Sequence, residues 1–286
     1  MADTNTGDVS NAIQKFWSPT FMDELRQTNI VVSQVNREYE GSMAKMGDTV
    51  KVLQVNKPTG QTLTKDGSGG ETTFTPETMS ISYVDVVADK RFVASYEIDD
   101  TVDLQTLLDP FSPNSVKVRG ALLDAVNTQV NTYIYGLFSG GTTTASTSTM
   151  TAAVMAAVRK LAGQKKWDKT KPWYGNLAPE YWADCLVDEK LTSSDFVAAG
   201  LVENALAGGV KRFGFNLFED SSLTNKGYFF HPDAILFCMQ YAPRFMLSSQ
   251  HAQKKFSYVL SCDLVGGGKL GIDGDDKYNL VQVAAP

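Results

Sequence analysis

The sequence predicts a mixed α+β fold, and three segments carry that prediction. Residues 36–98 alternate like a long two-stranded hairpin whose strands are joined by a polar, glycine-rich connection. Residues 113–138 place apolar side chains at helical spacing, over roughly 39 Å at about 1.5 Å per residue. From residue 171 onwards, short apolar strand-like segments alternate with helical ones. A chain of 286 residues is long enough to bury a sizeable core around these elements.

The N-terminal region is predicted to contain a short helix followed by an extended segment. Ser18 and Pro19 give a helix-start signal, because serine caps free amide groups and proline is tolerated in the first helical turn. This helix is expected to end near Gln27. The apolar run at residues 30–35 then indicates an extended segment that leads into the hairpin.

The hairpin is too poor in apolar residues at its far end to form a core of its own. Its strands are marked by Val50, Val52 and Val55 going out, and by Met79, Ile81 and Tyr83 coming back. The connection between them is mostly Thr, Ser, Lys, Asp and Glu with interspersed glycine and proline. Because an isolated hairpin is marginal in water, this one belongs to an ordinary sheet, folds back on its own domain, or lies across another subunit.

The elements after the hairpin follow from periodicity and from terminus signals. A strand is expected at residues 91–98, and Ser112-Pro113 opens the long helix that Gly140-Gly141 stops. Residues 142–151 are predicted to be a low-complexity linker, with Thr151 capping a helix at residues 152–162. Later segments are predicted as a strand at 173–177, helices at 179–186 and 195–206, apolar strand-like segments at 213–217, 228–230, 234–239 and 258–260, and a final strand at 278–283.

Composition argues against several classes of protein. Lys plus Arg is 26 and Asp plus Glu is 32, so the net charge is −6, and the basic excess typical of sequence-independent nucleic-acid binding is missing. With no secretory signal and no apolar run near the roughly 18 residues of a membrane span, the chain is expected to be soluble and made in the cytosol. The three cysteines have no short C-x-x-C spacing and are predicted to be small buried side chains.

One local cluster departs from the acidic average. Basic residues surround Trp167, and a solvated helix end with its loop explains them better than a nucleic-acid patch, although the patch remains an alternative. The cluster comprises Arg159, Lys160, Lys165, Lys166, Lys169 and Lys171.

No catalytic, cofactor-binding or metal-binding residue is assigned. His231 and His251 are the only histidines, and the position of His231 before a proline favours a structural role. Residues 266–270 are glycine-rich like a phosphate loop, but Leu270 stands where a hydroxyl residue would hold magnesium. Residues 273–276 are acidic but lack the pattern of a calcium loop. The chain is therefore predicted not to be an enzyme, with an α+β enzyme of unrecognised motif as the alternative.

The order of these features resembles the major capsid proteins of tailed bacteriophages, which share the Hong Kong 97-type fold with encapsulin nanocompartments. The resemblance spans about residues 16–235 and rests on the order and spacing of its landmarks. These are Phe16-Trp17-Ser18 with Leu25, Asn36-Arg37-Glu38-Tyr39-Glu40-Gly41, Gly47-Asp48-Thr49-Val50, Leu123-Asp124 inside the long helix, Pro179-Glu180-Tyr181, residues 209–221, and His231-Pro232-Asp233-Ala234-Ile235.

The resemblance implies a division of the chain. Residues 1–46 would form an N-terminal arm with a short helix, and residues 47–98 an extended loop with its adjoining strand. Residues 99–170 would form a peripheral domain around the spine helix, 171–258 an axial domain, and 259–286 the C-terminal strands. The extended loop would lie over a neighbouring subunit, with Thr62, Lys65, Asp66, Glu71 and Phe74 as expected contact residues.

The function implied is that of a structural subunit of an icosahedral phage head. Copies of the chain would form hexamers and pentamers that enclose double-stranded DNA, assembled in the host cytoplasm and retained in the virion. Because only about 16 residues precede Trp17, a separate scaffolding protein is the expected partner, together with a portal and a decoration protein. No membrane and no cofactor are expected. An encapsulin-like compartment shell is the alternative within the same fold.

Overall fold

The computed structural model describes residues 30–40, 49–55, 58–64, 73–99, 115–138, 142–192, 210–250, 253, 256–271 and 280–284. The helices predicted at residues 18–27 and 195–206 lie outside these ranges, as do His251 and the acidic turn at 273–276. The helices are α1 (Val31–Gln34), α2 (Ser115–Leu137), α3 (Ala152–Gln164), α4 (Pro179–Val187) and α5 (Glu189–Thr192), with a 3-10 turn at Pro232–Ala234.

The described strands form three sheets. The strands are β1 (Thr49–Val55), β2 (Ile81–Val87), β3 (Lys90–Asp99), β4 (Thr142–Ser146), β5 (Trp173–Leu177), β6 (Val210–Arg212), β7 (Phe215–Glu219), β8 (Lys226–Phe230), β9 (Ile235–Met239), β10 (Arg244–Ser249), β11 (Ser257–Leu270) and β12 (Leu280–Ala284). β1 and β2 pair as a hairpin, and a four-stranded sheet has the order β10-β11-β3 with β9 also paired to β11. The third sheet has the order β4-β12-β8-β5-β7-β6, and with the helices it confirms the predicted mixed α+β class.

The long helix α2 is confirmed and packs as its periodicity predicts. Leu122, Val126, Val130 and Ile134 recur at every fourth position, and all four are buried. This face lies against β3 and β11. Ala125, which the helical spacing also placed inside, is exposed. At about 1.5 Å per residue, the 23 residues of α2 extend roughly 35 Å along the four-stranded sheet.

The strands β5, β8 and β12 of the six-stranded sheet are largely buried on both faces. Successive residues of a strand point to opposite faces, and β8 follows this rule with aromatic side chains. Phe229 packs with α3 and α4, whereas Tyr228 and Phe230 pack with the end of α2. On the α2 side, the rings of Tyr135 and Tyr228 are stacked with centroids 5.2 Å apart. The sheet therefore joins two hydrophobic cores.

A buried polar network anchors α1 and α2 to the six-stranded sheet. The hydroxyl of Tyr135 donates to the carboxylate of Asp220, and the amide of Asn176 donates to Tyr135 Oη at 3.0 Å and to Gln34 Oε1 at 2.7 Å. Burial, reinforced by the neighbouring Asp220 carboxylate, raises the pKa of Tyr135 well above its usual value. The tyrosine therefore stays neutral and keeps its proton for this bond.

Two local predictions are wrong because distant parts of the chain decide them. The Val-rich segment is the helix α1 rather than an extended segment, since burying Val31 and Val35 outweighs the small helix disadvantage of β-branched residues. The predicted linker contains strand β4, because β12 supplies a parallel partner from the end of the chain, with Val281 opposite Thr142. Its threonines are good strand formers once a partner is present.

Two terminus predictions also need correction. Thr151 occupies the N-terminal cap of α3 but its side chain accepts no capping bond, and the Asp188 carboxylate accepts from the Ala152 amide at 2.7 Å instead. The segment predicted from residue 213 begins at Phe215, because Phe213 and Gly214 form the turn between β6 and β7 with φ of 49° and 85°. The strand predicted at residues 258–260 extends over the whole of β11.

Candidate functional site

The hairpin predicted from sequence is confirmed, with β1 and β2 antiparallel over their full length. Met79, expected in the returning strand, precedes β2. Because directly opposed residues share a face, each face of the hairpin can be followed through the register. One face carries Val50 opposite Val86 and Val52 opposite Val84, and the other carries Leu53 opposite Tyr83 and Val55 opposite Ile81. The two faces have different surroundings.

The inner face rests on the chain's own four-stranded sheet. Val84, Val86 and Ala88 are buried with Leu236 and Cys238 of β9, and Val50 and Val52 pack against this cluster. The base of the hairpin is thus part of the subunit's own core. The sequence left three arrangements open for the hairpin, and its base adopts the one in which it folds back on its own domain.

A glycine run in β11 makes this docking possible. Residues 266–268, which resembled a phosphate loop, are strand residues paired with Met239, Cys238 and Phe237 of β9. A Cβ atom placed on Gly267 would lie 1.8 Å from the carbonyl oxygen of Val87. No side chain fits between the two backbones, and glycine is required there because of this close approach.

Two of the sequence landmarks meet next to the hairpin base. Asn36 donates its backbone amide to the carbonyls of Pro232 and Ile235, and its side chain donates to Asp233 Oδ1 at 2.7 Å. Glu40, paired with Arg37 at 2.6 Å, accepts a hydrogen bond from the Met239 amide. The segment at 36–40 is therefore bound along the segment at 231–239, about 200 residues away in sequence.

The outer face of the hairpin has no apolar partner among the described residues. Leu53 is 65% exposed, and Val55, Ile81 and Tyr83 are each more than half exposed. Lys51 lies over the Tyr83 ring, with Nζ 4.4 Å from its centroid. Apolar side chains at opposed positions form one continuous patch, and a patch of this kind on a soluble protein marks an interaction surface. The sequence reasoning named Val55, Ile81 and Tyr83 of this face but missed Leu53.

The connection beyond the strands is held closed by side-chain bonds. The Gln61 side chain donates to the Thr75 carbonyl at 2.7 Å and accepts from the Thr75 amide at 2.9 Å. The Thr59 amide donates to Glu77 Oε2 at 3.1 Å. These bonds keep the two arms of the connection adjacent without a strand ladder.

The predicted contact residues divide into two groups. Thr62 is exposed and Phe74 is 65% exposed, in the described parts of the connection. Lys65, Asp66 and Glu71 lie outside the described residues. Their contacts with a neighbouring subunit therefore stay predictions.

A buried carboxylate joins three neighbouring strands of the four-stranded sheet. Asp263 of β11 is 3% exposed, and it pairs with Arg91 of β3 at 2.6 Å and with Arg244 of β10 at 2.7 Å. Tyr241 donates a further hydrogen bond to the same carboxylate at 2.9 Å. Hydrogen bonds from Arg244 above all, then from Arg91 and Tyr241, hold the pKa of Asp263 far below its usual range, against the opposing effect of burial. The sequence offered no signal for this cluster.

Asp263 is expected to make stability depend on acidity. Its carboxylate is charged in the folded protein at a pH where the unfolded chain, with a pKa of about 3.9, takes up a proton. The contribution is therefore present in full above about pH 5 and is lost as pH falls through the lower, folded pKa. Asp263→Asn should lower the free energy of unfolding near neutral pH, by about 3 kcal/mol. Urea unfolding at neutral and at acid pH measures the difference in the free energy of unfolding between the variant and the parent protein. This difference should be smaller at low pH. A difference that does not change with pH would contradict this role.

The described residues give no grouping typical of a catalytic or metal site. His231 is 2% exposed and its Nδ1 accepts from the Asp233 amide at 3.3 Å, in the structural role expected for it. Cys185, Cys238 and Cys262 are buried free thiols, and burial raises the pKa of Cys185 to about 12. Within the described ranges, no three His, Cys, Asp or Glu side chains are grouped to hold a metal ion. No described helix is long and apolar enough to span a membrane.

Comparisons with known proteins were made for the sequence and for the fold. A family model described as phage capsid protein matches residues 117–271, more than half of the chain. No curated protein sequence gives a significant match. A solved structure titled Mycobacterium phage Che8 is similar with a TM-score of 0.73 and 20% identity, covering 95% of this chain and 96% of that chain.

Two further structures are similar over nearly their whole length. The capsid structure of the cyanophage P-SCSP1u has a TM-score of 0.70 and 12% identity, covering 97% of this chain and 94% of that one. The mature capsid of bacteriophage PhiM1 has a TM-score of 0.62 and 12% identity, covering 95% and 91%. At these identities the matches establish the overall fold, and they confirm the Hong Kong 97-type resemblance at that level. With the family match, they show that the chain belongs to the phage capsid protein family and is a structural, non-enzymatic subunit of the virion shell.

Proposed function

We propose that copies of this chain form hexamers and pentamers that tile an icosahedral head around double-stranded DNA. One observation carries the proposal. The hairpin is fixed at its base to its own subunit, while its outer face exposes Leu53, Val55, Ile81 and Tyr83. Because the base is fixed, the other half of the hairpin points in a defined direction. The exposed apolar face of the hairpin is then expected to pack on a surface of a neighbouring copy.

The contact proposed is heterologous. The outer face of the hairpin and its connection lie on a different surface of the next copy, so that repeated contacts close into a ring. Within this contact, we assign five residues of the connection as those that touch the neighbouring copy: Thr62, Lys65, Asp66, Glu71 and Phe74. Many modest contacts in one lattice act together, so no single contact needs to be strong.

The division into subdomains completes the proposal. The axial domain, residues 171–258, contributes β5, β6, β7 and β8 to the six-stranded sheet and is proposed to face the centre of each ring. The peripheral domain, residues 99–170, contributes α2. Residues 1–46 are proposed as the N-terminal arm, 47–98 as the extended loop with its adjoining strand, and 259–286 as the C-terminal strands.

The partners proposed are further proteins of the same head. A separately encoded scaffolding protein would direct curvature during assembly in the host cytoplasm, a portal would occupy one vertex, and a decoration protein would bind the outer surface. DNA would be enclosed without sequence-specific recognition, in keeping with the chain's net charge of −6.

Electron microscopy of the full chain tests this proposal. The chain should be expressed alone and together with the products of its neighbouring genes, and the particles examined in negative stain. Closed shells with five-fold and six-fold rings are the expected result. Protein that stays monomeric in every combination would contradict the proposal.

A further inference from the structure

Basic side chains that are far apart in sequence line one open groove. The groove has a volume of about 510 Å³ and lies between the end of α3, the start of β5 and the turn between β6 and β7. Its charged lining residues are Arg159, Lys169, Lys171 and Lys211. Thr170 and Asn216 add neutral polar groups. The sequence cluster around Trp167 predicted part of this surface, whereas Lys211 joins it only through the fold.

Arg159 is held in place within the groove. Its guanidinium carbon lies 4.1 Å from the centroid of the Trp173 ring, a distance at which the cation and the ring attract each other. Gly214 is also adjacent to the guanidinium, and a Cβ there would lie 3.6 Å from that carbon. Its Nη1 is buried and has no hydrogen-bond partner among the described residues. Arg159 lines the groove, and a planar guanidinium held in one orientation suits an oxyanion.

The charge of the groove is only partly neutralised. Lys171 pairs with Asp233 at 2.7 Å. Lys169 and Lys211 have no ion pair with any described residue. The nearby Asp168 keeps its negative charge, because Thr170 donates both its amide and its hydroxyl to that carboxylate and these bonds lower its pKa. The four basic side chains, set against the carboxylates of Asp233 and Asp168, therefore leave an excess of two positive charges. This concentration of positive charge stands out on a chain with a net charge of −6.

We propose that this groove binds the phosphodiester backbone of double-stranded DNA inside the shell. The inference goes beyond the proposed assembly, since it assigns a binding site for the contents of the shell. A carboxylate-bearing surface of another copy is the competing ligand, but the centres of protein interfaces are depleted in charge. A centre made of cations with polar donors around it is typical of protein–DNA interfaces.

The expected affinity is low at each groove and strongly dependent on salt. Three phosphate contacts give a slope of log K against log salt of about −2.7, so affinity should fall roughly 40-fold between 50 and 200 mM salt. Many weak grooves, repeated over the copies of one shell, would hold DNA collectively, while each contact exchanges readily. Weak individual contacts are compatible with release of the DNA.

Binding to a short fluorescein-labelled DNA duplex tests the proposal. Anisotropy is measured on the full chain below its assembly concentration, so that the result does not depend on shell formation. The double variant Lys169→Glu with Lys211→Glu should lose at least about tenfold in affinity and lower the salt slope by about 1.8. The control variant, Lys226→Glu with Lys269→Glu, has the same net charge change on exposed lysines outside the groove and should bind like the parent.

Equal binding by the groove variant and the control would overturn the proposal. Unchanged DNA binding with loss of shell assembly would identify the groove as a contact between copies, which also overturns it. A thermal melt establishes that each variant is folded. If the double variant does not fold, the single Lys211→Gln change at an exposed position should still lower the affinity and the slope relative to Lys226→Gln.

Discussion

A chain that lacks residues 60–76 is expected to fold and to fail to form shells. None of the described residues of this segment, 60–64 and 73–76, belongs to the three buried clusters, so the core of the subunit is expected to remain. Its ends are adjacent, since the Thr59 amide donates to Glu77 Oε2 at 3.1 Å, and joining them keeps β1 and β2 in register. Thermal unfolding should resemble that of the parent, while size-exclusion chromatography and negative-stain microscopy should show only small species.

A variant of equal length shows whether assembly depends on the length of the connection or on its side chains. Replacing residues 60–76 by a Gly-Ser segment of equal length keeps the reach but removes Phe74 and the paired bonds between Gln61 and Thr75. If side-chain contacts with a neighbour drive assembly, this variant should also stay unassembled. An unfolded deletion variant would instead place the connection in the subunit's own core and refute the inter-subunit assignment.

Gly267→Ala is expected to detach or displace the base of the hairpin. The new Cβ would lie 1.8 Å from the Val87 carbonyl oxygen, and its neighbours there are backbone atoms rather than flexible side chains. The strand must move, which disturbs the cluster of Val84, Val86 and Cys238. Overpacking of this kind typically costs about 1–3 kcal/mol in the free energy of unfolding. Urea unfolding measures this loss, and microscopy should show fewer or misformed shells.

Gly163→Ala is the matched control for this change. Gly163 lies within helix α3, and a Cβ there would meet no atom within 4 Å. Because alanine is the better helix former, this variant should be as stable as the parent or more stable by about 0.5–1 kcal/mol. If Gly267→Ala were as stable as this control, the docking of the hairpin base on β11 would be wrong.

The elements that sequence reasoning located are those with a strong local pattern. Helix α2 was located by the four-residue recurrence of Leu122, Val126, Val130 and Ile134, and the hairpin by its alternation around a polar connection. The helix α4 follows its proline signal, with Pro179 at its first turn. In each case the signal and the structure involve the same few neighbouring residues, so tertiary packing reinforced the local preference.

The misplaced elements depend on partners far away in the chain. β4 needs β12, and α1 needs the buried surface to which Gln34 is bound through Asn176. The ion pairs of Asp263 with Arg91 and Arg244 likewise join three strands. Local propensity amounts to a few tenths of a kcal/mol per residue, and burial or strand pairing readily exceeds it.

The α+β class, the long helix, the hairpin with its polar connection, and the order of landmarks that resembles phage capsid proteins could all be inferred from the amino-acid sequence. The folded subunit was needed to show that the hairpin's inner face rests on the glycine run of β11 while its outer face stays open. It also joined residues 36–40 to 231–239 and brought Lys211 to Arg159. The reason is physical: periodicity and turn chemistry act over a few residues, whereas register, burial and charge clustering are set by contacts between segments that the sequence separates.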